Sequence, residues 1–424
     1  MMFSIKSFGC KVNQYEIQRI KESLENEGNK YTADENICNE LYINTCAVTE
    51  TAVEKLKKFC ASFRRKNRLA KIIIIGCAVE YLKKNNLDID FADLFFDNSQ
   101  KENYGDYFLA DSKEKKIKVV PEKNLKKFEL HSRAFIKIQD GCDNFCSYCI
   151  VPYLRKKMIS RNTDEITYEI RKLISNGYYE IVLSGVNIGK YNDSGKILEN
   201  LLKNILKING DFRIRFSSIN VNHITSEFIA LMKNNEKICA HLHLSLQSGS
   251  DKILKLMNRT YTAGQFQNTV EKLKIAIPDI GITTDIIAGF PGENEVDFKE
   301  TERMLKQINS CRTHIFPYSD RAGTAAANFK NKVPVKFIRN RCALLKNLNE
   351  KLSREFIKKR IGKKYIIVPE AEKNVIYGYT ENYIRGRIAS NLEQLQEIKN
   401  FQTIPVEIKG YDEIKKIALF ETCF

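Results

Sequence analysis

Three scarcities narrow what this chain of 424 residues can be. Histidine occurs only five times, and no Ser/His/Asp or paired-carboxylate arrangement is evident among those five and the acidic residues. Ordinary nucleophilic or acid–base catalysis therefore has no visible constellation. Long apolar runs are also missing. The run at 72–75 is far too short to span a bilayer, and residues 1–15 hold no apolar core of signal-peptide length. A cytoplasmic protein with no membrane partner is expected. Acidic side chains are the third scarcity, 52 Asp and Glu against 69 Lys and Arg, for a formal net charge of +17.

Cysteine is not scarce. Twelve cysteines in a chain this long do not read as a disulfide scaffold. Their clustering points to metal, and so to a reducing compartment. Cys142, Cys146 and Cys149 follow a strand-like run at 134–139 with the spacing CxxxCxxC. Three thiolates on one loop can hold three corners of a 4Fe–4S cube and leave the fourth iron open, whereas electron-transfer clusters are closed by four cysteines. This is the signature spacing of radical S-adenosylmethionine (SAM) enzymes, whose open iron chelates SAM. A zinc knuckle would need a fourth Cys or His nearby, and the next histidine after Cys149 is His223.

The first 120 residues alternate strands (3–7, 40–44, 71–75, 94–97) with helical patterns (14–27, 51–65), the pattern of an open parallel α/β sheet. Cys10, Cys46 and Cys77 each fall just after a strand and just before a helix. In a parallel sheet those three positions meet at one edge, where ligands bind. A second three-cysteine cluster is therefore expected there, against the alternative of ordinary buried cysteines. Cys38, Cys60, Cys239, Cys311, Cys342 and Cys423 show no such pattern. The charged stretch 105–131 reads as a linker. Six further strand candidates follow (134–139, 180–184, 213–217, 241–247, 282–288, 314–318), most separated by helical segments, and predict a partial (β/α)6 barrel over 132–360 with its chemistry at the C-terminal face. A long basic helix over 336–360 is expected to pack Phe337, Leu344, Leu345, Leu348, Leu352 and Phe356 on one face. Short β-runs at 365–368, 383–388, 403–408 and 417–420, separated by Gly378 and Gly410, predict a small all-β barrel over 363–424.

The positive charge is concentrated. Residues 330–364 carry nine Lys and four Arg against Glu350 and Glu355. Residues 50–71 carry eight basic side chains against Glu50 and Glu54. Such runs are often solvated faces, but two separate concentrations favour a nucleic-acid partner.

The stretches GCKVNQYE (9–16), NTCAVTE (44–50), GCDNFCSYCIVPYLR (141–155), HLHLSLQSGS (241–250), TDIIAGFPGE (284–293) and FPYSDRAGT (316–324) resemble the radical SAM methylthiotransferases over essentially the full length and in the right order. That family joins an N-terminal cluster domain (here 1–120), a partial barrel and a C-terminal TRAM domain. GCKVNQYE and GYTENYI (378–384) are most similar to the branch acting on N6-threonylcarbamoyladenosine next to the anticodon in tRNA. Sister branches act on isopentenyladenosine or on a ribosomal protein. The resemblance implies two 4Fe–4S clusters, the SAM-cleaving one on Cys142, Cys146 and Cys149 and an auxiliary one on Cys10, Cys46 and Cys77. It further implies a tRNA anticodon stem-loop as partner and an electron donor whose identity the sequence does not give. One SAM would supply the methyl group and a second the radical. The third N-terminal motif departs from the family pattern, reading GCAVE, and the C-terminal barrel is not basic. For SAM, Gly185, Asn187 and Gln247 are the expected contacts. For RNA phosphates the candidates are Arg155, Lys156, Lys157, Arg161, Lys358, Lys359 and Arg360. A non-catalytic iron–sulfur RNA-binding protein is the alternative from another class.

Overall fold

The computed structural model describes residues 1–47, 50–87, 90–98, 125, 128, 132–372, 375–388 and 402–423. Five parallel strands form the first sheet: β1 (Met2–Phe8), β2 (Lys30–Tyr31), β3 (Glu40–Thr45), β4 (Lys71–Gly76) and β5 (Leu94–Phe96), in the order β2-β1-β3-β4-β5. Helices α1 (Lys11–Asn26), α2 (Glu50–Lys66) and α3 (Cys77–Lys84) make the connections. The unbroken Ile72–Ile73–Ile74–Ile75 run is explained by burial on both faces, as parallel strands require. Ile72 and Ile74 pack with Leu41, Ile43 and Leu56, while Ile73 and Ile75 pack with Phe3, Tyr42 and Ile17 on the other side. Each fully buried isoleucine of this kind contributes roughly 1.5–3 kcal/mol.

The middle of the chain forms two four-stranded sheets. One has the order β11-β8-β6-β7, from β6 (Ala134–Asp140), β7 (Ile159–Ser160), β8 (Glu180–Gly185) and β11 (Arg213–Phe216). The other runs β12-β13-β14-β15, from β12 (Ser218–Ile219), β13 (His241–Gln247), β14 (Gly281–Ala288) and β15 (Arg312–Pro317). A short hairpin, β9 (Asn192–Asp193) with β10 (Lys196–Ile197), lies between. Backbone bonds from Ile214 N to Lys237 O (2.6 Å) and Cys239 N to Ile214 O (2.9 Å) join the two sheets. The six expected long strands are all present and parallel, with helices outside and one continuous apolar core.

The C-terminal segment closes into a barrel, β16-β17-β18-β20-β19: β16 (Lys364–Glu372), β17 (Val375–Tyr379), β18 (Arg385–Ile388), β19 (Ile404–Asp412) and β20 (Ile417–Thr422). Two glycines expected to separate strands lie inside them. Gly378 is within β17, where a Cβ would come within 2.8 Å of the Ile367 side chain. Gly410 sits at a register shift in β19. Glycine here permits close approach and a bulge.

One other expectation is corrected. The long helix runs Val335–Lys358, but Phe337 and Leu344 are exposed and Ile338 takes the inward position. The stretch 105–131 lies outside the described residues except for Leu125 and Phe128, and both of these are buried in the central core. Their backbone N–H groups donate to Glu169 Oε1 (2.8 Å) and Tyr178 OH (2.6 Å).

The turn between β17 and β18 holds the C-terminal barrel against the N-terminal ends of the central strands. Arg213 and Arg215 donate to the carbonyls of Ile366, Tyr379, Thr380 and Glu381. Tyr383 stacks on His241 with ring centroids 4.1 Å apart. A Cβ on Gly281 would stand 2.0 Å from Asn382 O, so only glycine admits the turn. This docking leaves the opposite, C-terminal ends of the strands to the cysteine loops.

Candidate functional site

The three N-terminal cysteines come together through strand register. Phe8 pairs with Thr45 and Thr45 with Gly76, so three adjacent parallel strands end level. Cys46 follows Thr45, and its N–H donates to Phe8 O at 2.8 Å. Cys77 follows Gly76 and opens α3, while Cys10 caps α1. Gly76, at φ 104°, makes a turn that a side chain would oppose. A Cβ on Gly9 would press on Cys46 Cβ at 3.0 Å. Among the described residues three thiols gather at this edge, a soft donor set suited to iron–sulfur ligation. Cys10 Sγ lies 3.1 Å from Asn13 Oδ1. Cys77 Sγ receives Arg155 Nε–H at 3.2 Å and Asn98 Nδ2–H at 3.5 Å.

The CxxxCxxC loop leaves the end of β6 at Gly141 (φ +78°). Gln139 holds its start: Nε2 donates to Asp140 O (2.7 Å) and Gly141 O (2.8 Å). Its far side is held by Ser147 N to Met257 O (3.1 Å), Ala326 N to Ser147 O (2.7 Å) and Asn258 Nδ2 to Phe145 O (3.1 Å). Cys149 N donates to Cys146 O at 2.9 Å, folding the last two cysteines into one turn. Beyond them Ile150 and Leu154 enter the apolar core of the first sheet. The segment after one cysteine triad is thus packed beneath the other.

Among the described residues no three His, Cys, Asp or Glu side chains are drawn tightly enough to grip a single ion. A cubane instead takes each thiolate on a different iron, so its ligands stand apart. Burial raises the Cys142 thiol and pushes Cys149 up to about 12. Cys10 is itself exposed, yet the surrounding protein raises its thiol too. Loading metal must therefore displace protons from these groups.

The expected SAM contacts lie around the same mouth. Gly185 ends β8, and a Cβ there would meet Gln139 O at 2.9 Å. Asn187 is buried, its backbone N–H donates to Gln139 Oε1 (2.7 Å), and both polar atoms of its side-chain amide lack a partner among the described residues. An orphaned amide in such a place is costly without a ligand, which fits a polar cofactor. Gln247 is buried at a register shift in β13 with φ +71°, a conformation rarely adopted by residues other than glycine and asparagine.

Sequence reasoning overlooked Arg259. Its Nη1 donates to Cys146 Sγ (3.3 Å) and its Nη2 to Asn220 Oδ1 (2.6 Å) and Ser245 O (3.1 Å). Nothing in the run MNRTY advertises this, because its partners lie at distant positions. The RNA candidates divide. Lys156 and Lys157 are exposed. Arg155 is buried on Glu16 and Asp140, Arg161 is paired with Glu169, and Arg360 is buried on Asp279. These three arginines are engaged internally and do not face a phosphate backbone.

Gly141 carries a prediction. A Cβ there would lie 2.0 Å from Lys157 O, and a left-handed conformation costs a non-glycine residue roughly 1–2 kcal/mol besides. Gly141→Ala is expected to shift the whole loop and sharply lower the iron retained per chain after anaerobic reconstitution. Full iron content in the variant would show that the loop accommodates the methyl group.

The Radical SAM superfamily profile matches residues 136–305, and that of the Uncharacterized protein family UPF0004 matches residues 2–97. The chain is 38% identical to a Thermotoga maritima protein named threonylcarbamoyladenosine tRNA methylthiotransferase MtaB, over 91% of both chains. It is 35% identical to a tRNA-2-methylthio-N(6)-dimethylallyladenosine synthase of Syntrophus aciditrophicus, over 91% of this chain and 87% of that one. In fold it is similar to the radical S-adenosylmethionine methyltransferase TsrM of Kitasatospora setae, with a TM-score of 0.53, 12% identity, and coverage of 77% of this chain and 74% of that one.

Proposed function

The chain belongs to the radical SAM methylthiotransferases, and on that premise we propose that it replaces the hydrogen on carbon 2 of N6-threonylcarbamoyladenosine, beside the tRNA anticodon, with a methylthio group. The observation that carries the reading is the 38% identity over 91% of both chains to the Thermotoga maritima protein of that name.

Cys142, Cys146 and Cys149 would hold one 4Fe–4S cluster, with SAM at Gly185, Asn187 and Gln247. Cys10, Cys46 and Cys77 would hold the second. When bound, these groups supply reductive cleavage of SAM, the sulfur and the methyl group, which no side chain here could provide for an unactivated C–H bond. The protein's own part is to position and shield. Gln139 ties the cysteine loop to Asn187, Arg259 fixes Cys146, and Ile150 and Leu154, just beyond the loop, pack into the core of the first sheet, whose strand ends carry the second set of thiols. Lys336, Arg339, Lys346 and Lys351 on the long helix, and Lys359 at its end, are exposed and have no ion-pair partner among the described residues. Such a face supports RNA binding that weakens steeply with salt.

Mass spectrometry of tRNA nucleosides from cells with and without the gene tests the reading. Loss of 2-methylthio-N6-threonylcarbamoyladenosine on deletion is the expected result. Loss of the methylthio-isopentenyladenosine nucleoside instead would transfer the chain to the sister branch, represented by the Syntrophus relative.

A further inference from the structure

One buried side chain reaches both cysteine-bearing regions. Arg155 Nε–H points at Cys77 Sγ (3.2 Å). Nη1 donates to Glu16 Oε1 (3.0 Å) and to both Asp140 oxygens (2.7 Å each), and Nη2 to Glu16 Oε2 (3.2 Å). Asp140 accepts from Gly141 N at 2.9 Å, so the same carboxylate anchors the root of the CxxxCxxC loop. Glu16, on α1, accepts from Nδ2 of Asn44 (3.2 Å), two residues before Cys46. Lys137 completes the group, donating to Glu16 (3.1 Å) and Asp140 (2.9 Å). Among these described contacts two carboxylates meet two cations. Asn98 binds the same Cys77 sulfur and also Leu154 O (2.9 Å), which fixes the residue preceding Arg155.

We propose that Arg155 is a positioning residue of the N-terminal sulfur centre, setting the electron density on the Cys77 thiolate and locking that centre in register with the SAM-side loop. The proposal rests on the two-cluster reading above. A charged N–H donor on a ligand sulfur stabilises the more negative, reduced cluster and so raises its potential. Outer partners of this kind also hold a ligand in place, and losing one typically lowers metal affinity about 10–100-fold. No other geometry serves as well. A guanidinium offers a rigid fork of donors for two carboxylates and a third direction for the sulfur, which an ammonium cannot match.

The experiment uses the full chain with Cys142, Cys146 and Cys149 all replaced by Ala, leaving only the N-terminal centre to reconstitute. Arg155→Gln and Arg155→Lys are then introduced, and each protein is followed by EPR-monitored redox titration and by iron loss to a chelator. The midpoint potential is expected to move to more negative values in both variants, further in Arg155→Gln, with iron affinity down about 10–100-fold. Arg155→Lys keeps the charge and guards against a variant that cannot fold. An iron-loaded centre whose potential and iron retention are unchanged in both variants overturns the role of Arg155 and leaves the two-cluster reading standing. Failure of the Arg155-containing parent to hold any iron overturns the two-cluster reading itself, and the proposal with it.

Discussion

Replacing Cys142, Cys146 or Cys149 by Ala is expected to abolish both 5′-deoxyadenosine release and methylthio transfer, whereas replacing Cys10, Cys46 or Cys77 abolishes only the transfer. The reason is spatial division. The first three sit on one loop tied to Asn187 through Gln139 and to Arg259 through Cys146. The second three sit on three strand ends of a different sheet. On the two-cluster reading proposed above, removing a thiolate of the CxxxCxxC loop would remove the radical source, and with it on the order of 10⁶-fold or more in rate, since the cofactor carries the hard chemistry. On the same reading, removing an N-terminal thiolate would take away the sulfur supply and leave SAM cleavage running. Cys423, outside both sets, serves as a control whose replacement leaves both products unchanged. The assay is anaerobic turnover with dithionite, scoring 5′-deoxyadenosine and methylthio-nucleoside separately. Equal loss of both products in all six variants would refute the division.

The largest expected effect on stability is at Glu180. This carboxylate is fully buried at the start of β8 and accepts from Arg213 Nε (2.7 Å), Arg215 Nε (2.7 Å) and Arg215 Nη2 (3.0 Å), with Arg133 at 3.6 Å. The same arginines hold the carbonyls of the turn from the C-terminal barrel. Glu180→Leu leaves buried cations uncompensated, a loss of about 3–5 kcal/mol, and loosens the docking of that barrel. Denaturant unfolding together with limited proteolysis across 360–385 measures both. A loss under about 1 kcal/mol would show that water or another carboxylate takes over the charge. Burial alone would raise the Glu180 carboxyl, but Arg215 and Arg213 overcome it and hold the group well below the usual range. A depressed carboxyl contributes stability that is fully present above its unfolded value of about 4.3 and is lost progressively as pH falls from there through the folded value. The contact itself should stay ionised in mild acid, but the stability difference between the wild-type protein and the Glu180→Leu variant should begin to shrink below about pH 4, where the unfolded carboxyl takes up its proton, and keep shrinking into strong acid.

Much of the architecture was legible in the chain. The six central strands came from apolar runs of strand length, and their order along the sequence fixed where each strand's C-terminal loop would fall. The alternation of the first hundred residues marked a parallel sheet, which is why three cysteines dispersed over 10–77 could be placed at one edge. Where the reading failed, distance was the cause. Gly378 resembles a turn residue until Ile367 is seen lying against it. Phe337 and Leu344 fit helical spacing, but the groove against which the helix packs takes Ile338 instead.

Chemical identity was therefore decided locally, by covalent spacing. CxxxCxxC, the strand-end cysteines and the missing acid–base constellation are properties of near neighbours, and any fold that forms those strands keeps them. Charge was decided only in three dimensions. Arg155, Lys156 and Lys157 are consecutive in sequence and alike in type, yet two are solvated and one is buried on Glu16, 139 positions away. A buried cation exists only where a carboxylate meets it, because desolvation without a partner costs more than folding can supply. That meeting depends on how two sheets pack, and no local pattern in the chain records it.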